Sequence, residues 1–580
     1  MLQAKRRWCA NTAPEELVDE LENDLGVARL TARLLANRGI RDADHASRFM
    51  RKQLKDLERP ERMRDLGRAA ARFATAIEDR ETILVHGDYD VDGSTATALM
   101  KQFCRCCSHD AIAWIPHRRI DGYGLSEASL LAVQEHGATL MVTVDCGIAD
   151  HGWAARIESQ TGCDVIITDH HLPQGGLPDC TAVCNPNRPD CDYPDKGLAG
   201  VGVAWKLCWA TARLLSGGEK VTDRLRAFLL DSLSLVAIGT VADCAPLDGE
   251  NRILVHHGLK ALQATGNHGL RALLGTCRLD QGLVQASDIG WRIGPLLNAS
   301  GRLGSALRNV QLLCAETAEE AQSLLDAIVI ENDERRRLTQ ELCDAVFDEI
   351  ESNPSWSERH TLVFAGDGWH QGVVGIVASR LVDRYQKPAA VIGIDAELGK
   401  GSLRTIPDVD LGVAIDACRS VLVGGGGHAM AAGLTILPER VPDFIAAFEE
   451  HVRQRFPGGL PTPGTRYDCQ ARIGELDGDF FREYEALAPF GTANPSPVLC
   501  VRGVRFAARP GVFGRGSNHL RGALTDRGGG LQQLIAWNTK PLMGELCKPG
   551  CAFDMLLRPE INAWRGRCEP RLQYVDGVSC

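Results

Sequence analysis

An α/β fold on a mostly parallel sheet, followed by a long helix, a second α/β unit and a small β-barrel, is what this sequence predicts. Three observations carry that prediction. From Thr82 to about residue 245, short apolar runs alternate with amphipathic segments, the pattern of βαβ units. Between Val310 and Ser352 apolar residues recur at helical spacing, with Leu338, Leu342, Val346 and Ile350 on one face. From about residue 465, Pro and Gly punctuate short alternating runs such as Val501 to Ala508 and Leu531 to Trp537.

The chain has 580 residues, too many for one hydrophobic core. The expected divisions are a helical segment over 1–78, the parallel-sheet domain over 79–245, a helical region with the connecting helix over 246–355, the second α/β unit over 356–460 and the barrel over 461–580. Pro457-Gly458-Gly459-Leu460-Pro461 marks the last boundary. Hydrophobic residues at 44% and charged residues at 24% are ordinary globular values. No apolar run reaches the roughly 18 residues of a membrane span. Lys5, Arg6 and Arg7 are not followed by a hydrophobic segment, so a soluble intracellular protein without a membrane partner is expected. Lys and Arg number 64 against 75 Asp and Glu, a formal charge of −11, which gives no support for general attraction to nucleic acid but permits local basic patches. The 21 cysteines lack the paired spacing of a zinc site and read as reduced thiols, many of them buried.

Taken in order, residues 11–78 read as helical, with Leu17, Leu21, Leu25, Leu30, Leu34 and Leu35 at helical spacing, packed on the first domain. Thr82 to Val85 is a buried strand that hands over, through His86-Gly87-Asp88-Tyr89-Asp90-Val91-Asp92-Gly93-Ser94, to a helix from Thr95 to Phe103. Asp88, Asp90 and Asp92 would repel one another in the ionised state unless a cation neutralised them. An exposed acidic turn is the alternative reading of this stretch alone. Three further runs end alike: Leu140 to Val144 in Asp145-Cys146-Gly147, Val165 to Thr168 in Asp169-His170-His171, and Leu235 to Val241 in Asp243. Four element ends thus deliver Asp and His to what would be one edge of one sheet, where ligands collect in open α/β folds. Convergence of Asp90, Asp92, Asp145, His170 and Asp243 without a cation would cost stability, so a metal centre is expected. Oxygen-rich ligation with one or two imidazoles suits Mn²⁺ or Mg²⁺ better than thiolate-bound zinc. There are carboxylates enough for two ions with one Asp bridging, the arrangement that serves phosphoryl transfer.

Beyond residue 245 helices dominate, and the charge run Asp333-Glu334-Arg335-Arg336-Arg337 reads as a solvated helix face. A strand over Thr361 to Phe364 precedes Trp369-His370-Gln371-Gly372, which opens a helix near Val373 to Val382 whose N-terminus is a natural phosphate site. Gly401-Ser402-Leu403-Arg404 and the run Gly424 to Gly427 before His428 add close-approach backbone and a fixed cation; alone, four glycines read as a flexible loop.

The motif His86 to Gly93 and the Asp169-His170-His171 triplet resemble the DHH phosphoesterase superfamily, specifically its RecJ branch of single-strand-specific 5′ exonucleases. The likeness continues through Gly239-Thr240-Val241-Ala242-Asp243, Leu297 to Arg302, Trp369 to Gly375, Gly426 to Gly433 and Leu487 to Pro495. This resemblance implies a DHH catalytic domain, a DHH-associated domain that grips nucleic acid across a cleft, and a C-terminal OB-fold. It implies that His86 and Asp90 hold one ion, that Asp92, His170 and Asp243 hold the other, and that Asp145 bridges them. His171 is then left to contact the scissile phosphate or assist the leaving oxygen, and Asp88 to orient a ligand. Polarity needs a pocket for a terminal 5′-phosphate, for which Arg302, Ser402 and Arg404 are candidates beside His370, Gln371 and His428. In the OB-fold, Arg505, Arg509, Arg515, Arg521, Phe513 and His519 fit a basic groove with stacking aromatics. The implied activity is metal-dependent hydrolysis of single-stranded DNA from its 5′ end to mononucleotides, in repair and recombination. The implied protein is a cytoplasmic monomer beside a helicase and a single-strand-binding protein. The alternatives are a relative of the same superfamily acting on short oligonucleotides, cyclic dinucleotides or pyrophosphate, and a non-catalytic nucleic-acid-binding scaffold. The C-terminal barrel argues against the first and the intact carboxylate set against the second.

Overall fold

The computed structural model describes residues 7–117, 120–122, 124–150, 152–395, 397–461, 464–514, 516–548, 550–564 and 567–579. Arg515, expected in the basic groove, lies outside the described residues. The chain forms two compact units, one of Met1–Gly301, Ser305–Ile328 and Gly464–Cys580, the other of Arg302–Gly304 and Val329–Pro463.

In the first unit, five parallel strands lie in the order Ile112–Trp114, Ile83–Gly87, Leu140–Val144, Asp164–Thr168, Ala182–Cys184. Ile83–Gly87 and Leu140–Val144 are buried throughout, as strands covered on both faces must be. Gly87 pairs with Val144 and Val144 with Thr168. The three central strands therefore end level, and the residues that follow them, Asp88, Asp145 and Asp169, leave the sheet at one edge.

The helix after the first strand spans Val91–Cys106, so Asp92, Gly93 and Ser94 belong to its first turn rather than to a preceding turn. The expected fourth strand is a helix, Leu233–Ala242, with Asp243 as its C-terminal cap. Every residue from Leu233 to Thr240 is buried, and an uninterrupted apolar run of that length reads equally as a core helix or a strand. Asp223–Ala242 is also long and apolar enough to cross a membrane by length and composition, which its place in the core accounts for.

The N-terminal helices Glu15–Leu25, Arg29–Ala36 and Ala43–Arg51 were expected on the parallel-sheet domain, and most of that expectation is corrected. Val18, Leu21, Leu34 and Leu35 share one core with Phe480, Phe553 and Leu572 of the C-terminal domain. Leu66–Glu78 packs on the first domain, against Gly200–Leu215 and Ala182–Cys184, and the short turn Pro60–Arg62 before it also packs on Gly200–Leu215. Periodicity identifies an apolar face but not its partner. The strand Trp8–Ala10 also pairs with Thr465–Tyr467, and Trp8 Nε1 donates to Asp576 at 2.9 Å. The C-terminal sheet runs Cys469–Gln470, Leu499–Phe506, Phe553–Trp564, Arg567–Ser579, Leu531–Ala536, His519–Thr525, Gly511–Phe513, and a further pairing of Leu499–Phe506 with His519–Thr525 closes it into a barrel.

The expected helix from Val310 breaks into Leu307–Leu313 and the 35-residue Ala318–Ser352. In the second unit Leu342, Cys343 and Val346 of that long helix pack with Leu362, Val377 and Leu381. Arg337 pairs with Glu334 and Glu341 at 2.7 and 2.6 Å, a solvated face as expected. A five-stranded sheet runs Gly424–Gly427, Ala431–Ile436, Leu398–Arg404, Ala389–Asp395, Leu362–Asp367, parallel only between the last two. The glycine run is thus an edge strand paired with Ala431–Ile436, not a loop. Among the described residues the cysteines are free thiols.

Candidate metal centre

Three groupings of ligand atoms, each with all atoms within 4.8 Å, lie at the level edge of the parallel sheet: Asp88, Asp90 and Asp145; Asp92, His170 and Asp243; and Asp145, His170 and His171. Local structure explains how they are held. Asp90 caps the helix Val91–Cys106, one carboxylate oxygen accepting the Gly93 amide at 3.0 Å. The Asp92 carboxylate accepts the amides of Gly200 and Val201 at 2.8 and 3.0 Å, the first residues of the core helix Gly200–Leu215. Only glycine fits at 200, because a Cβ there would stand 2.7 Å from Asp145 Cγ. Asp145 sits at φ 63°, a left-handed conformation that costs most L-residues about 1–3 kcal/mol and is tolerated best by Asp and Asn. Such strain concentrates at functional sites.

Electrostatics favour a cation. Burial, then the charges of Asp243 and Asp90, push the Asp92 carboxyl well above the usual carboxylate range. Burial and the same carboxylate neighbourhood do likewise to Asp145. Asp243 is raised to about 7, by burial first and Asp90 second. His170 is lowered to about 4 by burial and by the charge on His171, so it is neutral and able to ligate. Its buried Nε2 makes no hydrogen bond, and faces Asp145 Oδ1 at 3.2 Å and Asp243 Oδ2 at 3.8 Å. Oxygen donors with one neutral imidazole fit a hard divalent ion such as Mn²⁺ or Mg²⁺. Because these carboxyls hold protons in the metal-free protein, Mn²⁺ binding at pH 6.5 should release protons, and affinity should rise between about pH 6 and 8. Titration calorimetry in two buffers of different ionisation enthalpy measures this; equal heats in both would contradict the ligand set.

His171 differs from its neighbour. Its Nδ1 lies 2.8 Å from Asp169 Oδ1. Burial opposes the charge, but the Asp169 carboxylate outweighs it and raises His171 to about 9. Asp169 is 1% exposed and also accepts the amides of Ile148, His170 and His171. These bonds keep it ionised despite burial. Asn185 and Asn187 donate to the carbonyls of His171 and His170 at 2.9 and 2.6 Å, fixing both backbones. Sequence reading missed the work of Asp169, Asn185 and Asn187; the triplet itself was the only signal for the first, and none marked the asparagines.

His86 is the one expected ligand outside these groupings. His86 is fully buried, its Nε2 is 2.9 Å from Ser129 Oγ and its Nδ1 3.6 Å from Cys146 Sγ. It is the fourth residue of the central strand Ile83–Gly87 and belongs to none of the three groupings. Asp88, expected only to orient a ligand, stands with Asp90 and Asp145.

In the second unit, Arg302 Nη1 donates to the Gly372 carbonyl at 3.0 Å, and His370 Nδ1 accepts the Gly372 amide at 3.0 Å as the cap of the helix Gln371–Tyr385. One turn on, a Cβ at Gly375 would meet Ser402 Oγ at 2.9 Å and Arg404 Nη2 at 3.2 Å. Arg302, His370, Gln371, Ser402 and Arg404 are therefore gathered around one helix N-terminus. His428 lies exposed in the turn between Gly424–Gly427 and Ala431–Ile436, beyond the pairs Ala431–Arg404 and Gly433–Ser402.

The sequence matches the family models of the DHH family, N-terminal domain, over residues 82–240, of the DHHA1 domain over 359–454, and of the RecJ OB domain over 467–576. It is 36% identical over 580 residues to the single-stranded-DNA-specific exonuclease RecJ of Bacillus subtilis, covering 100% of this chain and 71% of that protein. The chain belongs to the RecJ family. The Salmonella typhimurium RecJ is 34% identical over 585 residues, 97% of each chain. The crystal structure of RecJ in complex with Mn²⁺ from Thermus thermophilus superposes with a TM-score of 0.80 at 29% identity, covering 99% of this chain and 79% of that one. The complex of the same protein with Mg²⁺ gives 0.75 at 28% identity, covering 98% and 78%. The α/β architecture with a C-terminal OB domain is thus that of the RecJ family.

Proposed function

We propose that this chain hydrolyses single-stranded DNA from its 5′ end to mononucleotides, at a centre that takes two divalent ions, Mn²⁺ or Mg²⁺. The observation that carries the proposal is the convergence of Asp88, Asp90, Asp92, Asp145, His170 and Asp243 on one sheet edge. Its RecJ relatives are named for this substrate, and two of their crystal structures hold these ions. Asp88, Asp90 and Asp145 would hold one ion and Asp92, His170 and Asp243 the other, with Asp145 shared, since it alone joins the first grouping to His170. Such a pair, when bound, neutralises charge on the attacking and leaving oxygens of the displaced phosphate. His171, carried as imidazolium by Asp169, donates a proton or hydrogen bond to a phosphate or leaving oxygen.

Polarity comes from Arg302, Ser402 and Arg404 at the helix N-terminus opened by His370 and Gln371, a site for a terminal phosphate, with His428 as a further contact. In the barrel, Phe513, His519 and Trp537 form a three-ring cluster with centroids 5.0 to 5.6 Å apart, and Arg521 lies 6.0 Å over Phe513. Unstacked bases rest on such clusters. We place the enzyme in the cytoplasm as a monomer, beside a helicase and a single-strand-binding protein, in repair and recombination.

The test is digestion of a 3′-labelled oligonucleotide, single-stranded and as a blunt duplex, with and without a 5′-phosphate, in Mn²⁺, Mg²⁺ and chelator. Metal-dependent loss from the 5′ end of the single strand alone is expected. Consumption of dinucleotides or pyrophosphate with long strands untouched would overturn the substrate while keeping the centre. Removing the whole barrel is a poor variant, because the helices Glu15–Leu25 and Arg29–Ala36 would lose their core. The double variant Phe513→Ala, Trp537→Ala instead should raise KM for long strands by about tenfold or more with kcat unchanged, since each base–aromatic stack contributes about 1–3 kcal/mol; an unchanged KM would exclude the barrel from substrate binding.

A further inference from the structure

Trp291 is the most exposed large hydrophobic residue of the described chain, at 82%. Tryptophan is ordinarily among the better buried side chains, and leaving one in water forfeits a large apolar area. Its setting is specific. It stands at the centre of a π-helical turn, Ile289–Ile293, whose end residues Ile289 and Ile293 are fully buried, so the turn is anchored while Trp291 is held outward. Such turns inside helices occur disproportionately at functional sites.

This turn flanks the metal centre. A Cβ at Gly294, where the turn passes into the helix Gly294–Leu303, would lie 3.4 Å from Ala242 Cβ, and Ala242 precedes Asp243. At the other end of that helix, a Cβ at Gly301 would collide with the carbonyl of Tyr89, which stands between Asp88 and Asp90. One helix therefore runs from the Asp243 end of the centre to the Asp88–Asp90 end, and Trp291 projects from its leading turn.

We propose that Trp291 is the platform on which one base of the substrate strand stacks beside the metal centre. The proposal rests on the single-strand reading above. Inside a duplex both faces of every base are covered by its neighbours, so a strand that offers the face of an internal base to the ring must be single-stranded there. Trp291 is then a specificity determinant that acts at the reacting end, separate from the barrel's aromatic cluster.

The experiment compares wild type, Trp291→Ala and Trp291→Phe on 3′-labelled single strands carrying one tetrahydrofuran abasic residue placed in turn at successive positions from the 5′ end. Each variant's thermal melting is recorded alongside. Wild type should show one position at which loss of the base raises KM by about 5- to 150-fold, the range set by one base–aromatic stack. Trp291→Ala should show that higher KM on the intact strand, with kcat within about twofold and no further response to the abasic residue, and Trp291→Phe should restore most of the difference. If wild type degrades the strand but Trp291→Ala has the same KM and the same abasic profile, the Trp291 assignment fails and the exonuclease reading stands. If wild type does not degrade single strands at all, the exonuclease reading fails instead.

Discussion

Asp145→Asn should lower hydrolysis by a factor of about 10³ or more while the protein stays folded, because charge stabilisation by a divalent ion supplies several kcal/mol of barrier reduction. Asp145 belongs to two of the three groupings, with Asp88 and Asp90 and with His170 and His171. Asparagine keeps its shape and tolerates the φ of 63° that the position imposes. The stability readout separates chemistry from misfolding. A buried carboxyl whose folded pKa is raised binds its proton more tightly in the folded state, so its stability penalty grows as pH rises from the unfolded value near 4. The neutral amide carries no such penalty. Metal-free Asp145→Asn should therefore melt at or above the wild-type temperature at pH 8, and should lose most of the rise that Mn²⁺ gives the wild type. Activity within tenfold of wild type would remove Asp145 from the centre.

His171→Ala should cost about 10²- to 10⁴-fold in kcat, the usual contribution of a positioned proton donor. Asp169→Asn is the sharper test, because it leaves the ring in place and removes the charge that holds its proton. With Asp169 present, His171 stays protonated up to about pH 9. A donor is active below its pKa, so the wild-type profile should fall on the alkaline side near that value. In Asp169→Asn the falling limb should move down toward the ordinary histidine value of about 6.5, leaving the variant closer to wild type at pH 6 than at pH 8. A purely structural role would scale the whole profile without moving the limb. The same pair contributes folding stability that is complete below about pH 6.5 and lost as pH rises through about 9.

Much of this protein was legible as a line of residues. Short apolar runs bounded by Asp and His announced the parallel sheet, because a strand covered on both faces has to be apolar along its length. The ends of those runs marked the metal centre, since like charges gathered at one edge need a cation. Where the reading failed, each failure has one cause: local pattern does not carry long-range partners. Leu235 to Val241 is apolar in every direction, which suits a core helix as well as a strand, and only packing made it the helix that Asp243 caps. The leucines of the N-terminal helices announced a buried face, and the tertiary structure alone assigned it to the barrel.

The same division holds at the centre. The motif His86 to Asp92 offers four potential ligands at every second residue, and sequence spacing cannot say which will turn outward. In the fold His86 lies against Ser129 and Cys146, while Asp88 and Asp90 stand together with Asp145. The protonation states of His170 and His171 were equally beyond reach of the sequence. Adjacent in the chain and alike in chemistry, they differ because Asp169 hydrogen-bonds one ring and burial desolvates the other. The sequence determined which kinds of atom this protein gathers, and the fold decided their geometry and charge, because desolvation and hydrogen bonding depend on neighbours that only the folded chain brings together.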